Sequence, residues 1–104
     1  MQSVFEMRII AKKTLTLYYQ ERRDAETALE EWYEKVERAK WNTFADVRQS
    51  FNSADYVGNN RIVFNIKGNK YRLVALVLFN NKMVYIRFIG THEEYSRIND
   101  INKI

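Results

Sequence analysis

The sequence contains no cysteine and no proline, and it has only three glycines and one histidine among its 104 residues. Without cysteine there is no disulfide scaffold, no Cys-based zinc site and no thiol nucleophile. A single histidine excludes a metal site built on two or three histidines. The longest apolar run, Leu73 to Phe79, is far shorter than the roughly 20 residues that a membrane-spanning helix needs. We therefore expect no metal, no cofactor and no contact with a membrane.

Length and composition fit one folded domain covering residues 1–104. Hydrophobic residues make up 46% of the chain and charged residues 29%, which is enough apolar material for a buried core. The first six residues show neither the basic nor the apolar segment of a secretory signal. These features predict a single cytoplasmic domain.

The positive charge is confined to the second half of the chain. Residues 1–50 hold nine Lys or Arg and nine Asp or Glu, so their charges cancel, whereas residues 51–104 hold eight basic and four acidic residues. All of the formal net charge of +4 therefore belongs to the second half. This half could face phosphate, although a mildly basic surface also keeps a protein soluble.

The first half of the chain has the periodicity of helices. A short apolar strand at Met7–Ala11 is followed by a helix at Lys12–Gln20. Apolar residues at i, i+3 and i+4 spacing then predict a helix over Asp24–Lys40, with Trp32 on its buried stripe rather than in a base-stacking site. Thr43 is the expected N-cap of a further short helix.

The second half changes to the two-residue period of strands. Strands are predicted at Arg61–Ile66, Tyr71–Phe79 and Lys82–Ile89, joined by two-residue turns at Gly68-Asn69 and Asn80-Asn81. The result is a three-stranded antiparallel meander. Gly90 is expected to end the last strand. Thr91 and Glu94 have the spacing of a capping box, which predicts a short final helix with its start beside the sheet.

The two turns set the register of the meander and thereby its two faces. The first turn places Asn65 opposite Arg72 and Val63 opposite Val74, since pairing continues outward from the loop. The second turn likewise places Leu76 opposite Tyr85, Val74 opposite Arg87 and Arg72 opposite Ile89. One face should then be apolar core, with Phe88 among its residues, and helices should cover it. The opposite face is expected to carry seven polar side chains: Arg61, Asn65, Lys67, Lys70, Arg72, Tyr85 and Arg87.

Five of these seven side chains are basic, and no Asp or Glu lies on the three strands to neutralise them. Cationic neighbours across strands repel each other, so an anion such as phosphate is the better explanation than an ordinary solvent face. The start of the last helix would add to this preference. His92 lies in its first turn, where an imidazole could donate to phosphate or exchange a proton near neutral pH.

Two segments, 63–77 and 85–95, resemble the HigB family of bacterial toxins in the RelE/ParE superfamily. They read VFNIKGNKYRLVALV and YIRFIGTHEEY in this chain. The similarity starts at about Met7, which implies that residues 1–6 are an N-terminal extension. It also implies a RelE-like α+β fold: an N-terminal strand and helices packed on one face of a curved antiparallel sheet, with the meander and a short C-terminal helix.

The resemblance further implies a ribosome-dependent endoribonuclease that needs no metal. In this family the RNA 2′-hydroxyl attacks the adjacent phosphate and leaves a cyclic phosphate and a 5′-hydroxyl end. The implied partners are messenger RNA in the A site of the 30S subunit and a HigA-like helix-turn-helix antitoxin, through which alone operator DNA is contacted. The positions that match the family's catalytic residues are Lys67, Arg72, Arg87, His92 and Tyr95, while Arg61, Asn65, Lys70 and Tyr85 are expected to bind RNA.

The chain also departs from its superfamily. The better-studied branches carry several basic residues or more than one histidine after the strand-ending glycine, where this chain has Thr-His-Glu-Glu-Tyr. The general acid and base are therefore left open. Three other functions remain as alternatives: a ParE-like inhibitor of DNA gyrase, a non-catalytic RNA-binding module, and a domain that binds only proteins.

Overall fold

A computed structural model describes residues 6–104 and contains four α-helices and five strands within that range. The helices are α1 (Lys12–Glu21), α2 (Glu26–Arg38), α3 (Phe44–Ser50) and α4 (His92–Ser96). The strands are β1 (Arg8–Ile10), β2 (Asp55–Gly58), β3 (Arg61–Ile66), β4 (Tyr71–Leu78) and β5 (Met83–Thr91). Short 3-10 helices lie at Arg23–Ala25 and Ile101–Lys103. All but Glu6 of the expected N-terminal extension lies outside the described residues.

The strands form one sheet in the order β1-β5-β4-β3-β2, so the predicted α+β class is confirmed. The expectation of a wholly antiparallel sheet is wrong, because β1 runs parallel to β5. Strand β2 was not predicted from the sequence; it extends the meander at the other edge by pairing with β3. Its segment, Asp55-Tyr56-Val57-Gly58, is too short for a two-residue period to stand out.

The core lies between the sheet and the helices, as the apolar stripe predicted. Trp32 and Trp41 are each 2% exposed and therefore belong to the core. Their rings contact Phe64 of β3, one edge-on at 5.4 Å and one stacked at 6.3 Å between centroids. Phe51 packs edge-on against the same ring at 5.2 Å. Aromatic packing around one strand residue therefore joins the helical layer to the sheet.

The turns of the meander are longer than the two residues expected. Pairing between β3 and β4 ends at Ile66 and Tyr71, so the first connection spans residues 67–70. Positive φ angles fall on Lys67 and Gly68, not on Gly68 and Asn69. The predicted β3–β4 register is nevertheless confirmed, because the Lys70 N–H donates to the Lys67 carbonyl at 3.2 Å and keeps the strands aligned.

A bulge changes the faces of β5. Leu76 pairs with Tyr85 as predicted, but the register shifts beyond Ala75, so Val74 pairs with Phe88 instead of Arg87. The same shift places Gly90, not Ile89, opposite Arg72. One extra residue in a strand reverses the side-chain alternation after it. The assignment of Phe88 to the helix-covered core is therefore wrong; Ile89 packs against that core.

Gly90 does not end the strand, because β5 continues to Thr91. A Cβ atom at Gly90 would lie 2.5 Å from Cζ of Phe88 and 2.9 Å from Oε1 of Glu94. A larger residue does not fit at this position, because the Phe88 ring and the Glu94 carboxylate of the capping box lie too close to the backbone. Within residues 6–104, no helix has the length and apolar character to cross a bilayer.

Candidate active site

Arg72 is the centre of the candidate site, on the face of the meander turned away from α1 and α2; we call this the open face. β3 and β5 supply its strand neighbours, Asn65 and Gly90. One guanidinium nitrogen, Nη1, donates to the Asn69 carbonyl at 3.3 Å. The guanidinium carbon lies 5.9 Å from the centre of the Tyr95 ring in α4, near the outer limit of a cation–π contact. Arg72 is thus held by groups that leave its charge uncompensated.

His92 lies at the start of α4 and is exposed. Its main-chain N–H donates to the Lys70 carbonyl at 3.1 Å, which ties the helix to the turn between β3 and β4. Ser96 Oγ donates to the His92 carbonyl at 2.9 Å and lies 3.4 Å from the ring atom Nδ1. The imidazole therefore has a fixed main chain and an accessible ring, on the helix that also carries Tyr95.

The capping box predicted at the start of α4 is confirmed. Glu94 N–H donates to Thr91 Oγ1 at 3.1 Å, and Thr91 N–H donates to Glu94 Oε1 at 2.7 Å. Accepting this N–H lowers the pKa of the Glu94 carboxyl. Because a carboxylate already occupies the helix start, and α4 has five residues, the expected help from this end in binding an anion is not supported.

Lys67 and Lys70 do not join Arg72 in one cluster, because both turn to Asp24. The Lys67 ammonium donates to the Asp24 carbonyl at 3.0 Å and lies 3.5 Å from Oδ2 of its carboxylate. The Lys70 ammonium donates to the same Oδ2 atom. The prediction that five basic side chains converge on one uncompensated face is therefore wrong: the neutralising carboxylate comes from the segment before α2, not from the strands.

Tyr71 completes this cluster from the core side. It is 2% exposed, and its hydroxyl donates to Asp24 Oδ1 at 2.7 Å. The hydrogen bond from Lys70, followed by that from Tyr71, lowers the pKa of the Asp24 carboxyl well below its usual range. Burial, with the hydrogen bond to Asp24, raises the pKa of the Tyr71 hydroxyl to about 12. The cluster is therefore an ion pair network with Asp24 ionised and Tyr71 neutral at neutral pH.

Arg61 is also engaged, at the other end of the open face. Its Nε and Nη2 atoms donate to the main-chain oxygen of Ile104 at 3.2 and 2.7 Å. Asn102 contacts this end too, since its carbonyl accepts from Asn59 Nδ2 at 3.1 Å. Val63 and Val74 are buried although they lie outside the main core cluster. The open face is therefore covered at the Arg61 end, and the two-residue period of the strands contains no signal for this cover.

Tyr85 and Arg87 lie further along β5. Tyr85 pairs with Leu76, four residues along β4 from Arg72, which separates the two positions by roughly 13 Å. Arg87 is the extra residue of the bulge and is exposed. The structure therefore brings Arg72 into contact with Tyr95, with Asn65 beside Arg72, and places His92 three residues before Tyr95 in α4. It leaves Tyr85, Arg87 and Arg61 as outlying groups.

Asp24 is a residue near the site that the sequence did not predict. It was counted as the first residue of a long helix, where an acidic side chain is ordinary. Only its pairing with a turn more than 40 positions away gives it another role, and one sequence contains no signal for that contact. Among residues 6–104, no group of three His, Asp or Glu side chains is arranged to hold a metal ion.

Comparison with known proteins gives a consistent family. Residues 25–98 match the family model described as HigB toxin, RelE-like toxic component of a toxin-antitoxin system. The chain is 52% identical over 33 residues to the mRNA interferase toxin HigB of Escherichia coli strain K12, and equally to proteins named mRNA interferase HigB of Escherichia coli O157:H7 and Shigella flexneri. Each match covers 32% of this chain and 32% of the relative.

Proposed function

The chain belongs to the HigB family of RelE-like toxins, and on that premise we propose that it is a ribosome-dependent endoribonuclease that cleaves messenger RNA. The observation that carries the proposal is the contact between Arg72 and Tyr95, with the exposed His92 three residues before Tyr95 in the same short helix. An arginine held by few acceptors, an aromatic ring and an accessible imidazole are together suited to one phosphodiester and its neighbouring base.

The proposed reaction is transfer within the RNA strand. The 2′-oxygen forms a bond to the adjacent phosphorus, its proton passes to a base, and the bond from phosphorus to the 5′-oxygen breaks as that oxygen takes up a proton. The products are a 2′,3′-cyclic phosphate and a 5′-hydroxyl end. Arg72 is proposed to stabilise the charge on the phosphorane, because its fork matches two phosphate oxygens.

His92 is proposed as the residue that moves a proton, and Tyr95 as the ring that holds the guanidinium of Arg72 or stacks on a base. Asn65, beside Arg72, is proposed to contact RNA at the site, and Arg87 and Tyr85 are assigned to flanking RNA, since the strands set these two apart from Arg72. Lys67 and Lys70 are already paired with Asp24. Their part in this proposal is therefore to support the site, and not to act as general base.

The proposed partners follow from membership of a toxin–antitoxin family. A HigA-like antitoxin with a helix-turn-helix domain would neutralise the protein and would provide any contact with operator DNA. Messenger RNA would be bound in the A site of the 30S subunit. On this account the ribosome would supply much of the RNA positioning, because the open face exposes few cations of its own around Arg72.

The test is to add the purified protein to translating ribosomes and to map the new ends of the messenger RNA. Cleavage within translated codons and cyclic phosphate ends are the expected results. The same messenger without ribosomes is the control and should remain intact. Ends that carry a 5′-phosphate, with a 3′-hydroxyl on the other fragment, would contradict the proposed chemistry.

Two of the three alternative functions make different predictions in the same experiment, and the comparisons support none of the three. A gyrase inhibitor would leave the messenger intact and block supercoiling of plasmid DNA. A non-catalytic RNA-binding module would retard the RNA with a steep salt dependence and leave its length unchanged. Either result with the wild-type protein would replace the proposed endoribonuclease.

A further inference from the structure

We propose that Asp24 is a positioning residue for the active site, which it holds through the 67–70 turn and the main chain of His92. Asp24 lies before α2, on the helical side of the sheet, and does not touch Arg72 or the open face. It lies just outside residues 25–98, which match the family model. The kinetic part of this inference rests on the proposed endoribonuclease activity, whereas the structural part does not.

Asp24 fixes the turn by accepting from three side chains. Its main-chain oxygen accepts from Lys67 Nζ at 3.0 Å, its Oδ2 atom accepts from Lys70, and its Oδ1 atom accepts from the Tyr71 hydroxyl at 2.7 Å. Tyr71 is buried, so one carboxylate oxygen of Asp24 is bonded to the core and the other is bonded to Lys70 in the turn. The turn contains Lys67 in a left-handed conformation, which an L-residue rarely adopts unless its surroundings hold it there.

The turn passes this constraint to His92 by a direct contact. The Lys70 carbonyl accepts the His92 N–H at 3.1 Å, at the first residue of α4. Arg72 follows two residues after Lys70 and donates to the Asn69 carbonyl at 3.3 Å. Both residues assigned to the chemistry are thus bonded to main-chain oxygens of the turn that Asp24 holds. A shift of this turn would move the imidazole and the guanidinium relative to the phosphate.

The same pairing limits the positive charge offered to RNA. Lys67 and Lys70 together with Asp24 carry one net positive charge, where the two lysines alone would carry two. Removing the carboxylate should therefore strengthen attraction to RNA while it loosens the site. A residue with only a structural role would not produce opposite changes in binding and turnover.

The matched variants are Asp24→Asn and Glu34→Gln. Glu34 lies on the exposed side of α2 and pairs with Arg38 at 3.6 Å, so its variant removes one negative charge without touching the turn. For cleavage on translating ribosomes, we expect Asp24→Asn to lower kcat about tenfold, as expected for small misplacements of reacting groups, with KM unchanged or lower. Glu34→Gln should leave both constants unchanged.

Amide hydrogen exchange measured by NMR gives a readout that needs no activity. The His92 amide should exchange faster in Asp24→Asn than in the wild type, and should be unchanged in Glu34→Gln. Wild-type kcat together with wild-type exchange at His92 would overturn the proposal, as would a lower stability with neither change. If Asp24→Asn does not fold, Tyr71→Phe removes one donor to the carboxylate and should show the same two changes at smaller size.

The two proposals can fail separately. A wild-type protein that cuts no messenger would contradict the endoribonuclease, while the exchange of the His92 amide would still test the contact between Asp24 and the site. A wild-type protein that cuts messenger normally, with variants that keep its kcat and its exchange rates, would contradict the role of Asp24 alone.

Discussion

The guanidinium carbon of Arg72 lies 5.9 Å from the centre of the Tyr95 ring, and this contact joins the middle of the sheet to the last helix. Arg72 comes from β4 and Tyr95 from α4, 23 positions later in the chain. A bulge in β5 places Gly90 opposite Arg72, so the residue that faces Arg72 on β5 has no side chain of its own. The proposed function depends on this pair and on His92, which lies in the same helix as Tyr95.

Tyr95 should act through its ring and not through its hydroxyl. Tyr95→Phe keeps the face that meets Arg72, so we expect cleavage on ribosomes close to that of the wild type. Tyr95→Ala removes about 0.5–1 kcal/mol of cation–π attraction and should lower the rate by roughly two- to fivefold, and further if the ring also stacks on a base. The comparison requires both variants in one single-turnover assay. A Phe variant as slow as the Ala variant would assign the role to the hydroxyl.

His92→Ala should lower the rate of messenger cleavage by about 10²–10⁴-fold, the usual contribution of a group that transfers a proton. Ser96→Ala is the matched control, because Ser96 contacts His92 and belongs to the same helix turn. It should retain nearly full activity. If His92→Ala still arrests growth and cuts messenger at the wild-type rate, histidine has no part in the mechanism.

Gly90 and Gly68 should respond differently to alanine. At Gly90 the new methyl group meets Phe88 at 2.5 Å and displaces the Glu94 oxygen that caps α4. We therefore expect the free energy of unfolding to fall by about 1–3 kcal/mol. At Gly68 the methyl group meets nothing within 4 Å. Only the positive φ angle of 65° disfavours alanine there, so the free energy of unfolding should fall by about 1 kcal/mol. Urea unfolding of both variants measures the difference. Equal losses would argue against the close packing at Gly90.

Asp24 should make stability depend on pH in the acid range. Its folded-state pKa is depressed, chiefly by the hydrogen bond from Lys70, so its ionised form stabilises the fold at pH values above its unfolded pKa of about 3.9. This stability should disappear as the pH falls below that value towards the folded-state pKa. The Tm difference between wild type and Asp24→Asn should therefore be constant from pH 7 to 5 and shrink below about pH 4. A difference that does not change with pH would contradict the ion pair network.

The sequence predicted the elements better than the contacts between them. The β3–β4 register and both capping residues, Thr43 and Thr91, follow from local patterns and were predicted correctly. The predicted β4–β5 register was wrong beyond Ile86, because a bulge inserts one residue without any signature in the two-residue period. The prediction of an uncompensated basic face was wrong for a different reason. Its neutralising partner, Asp24, is distant in the chain, and only the packing of α2 on the sheet brings it near.

The most direct test of the account is the rate of messenger cleavage on translating ribosomes by Arg72→Ala. The control is Arg48→Ala in α3, which removes the same charge from an exposed position without a proposed role. We expect Arg72→Ala to lose about 10²–10³-fold, as when one group that stabilises the transition-state charge is removed. Arg48→Ala should match the wild type. Equal rates for the two variants would contradict an active site centred on Arg72.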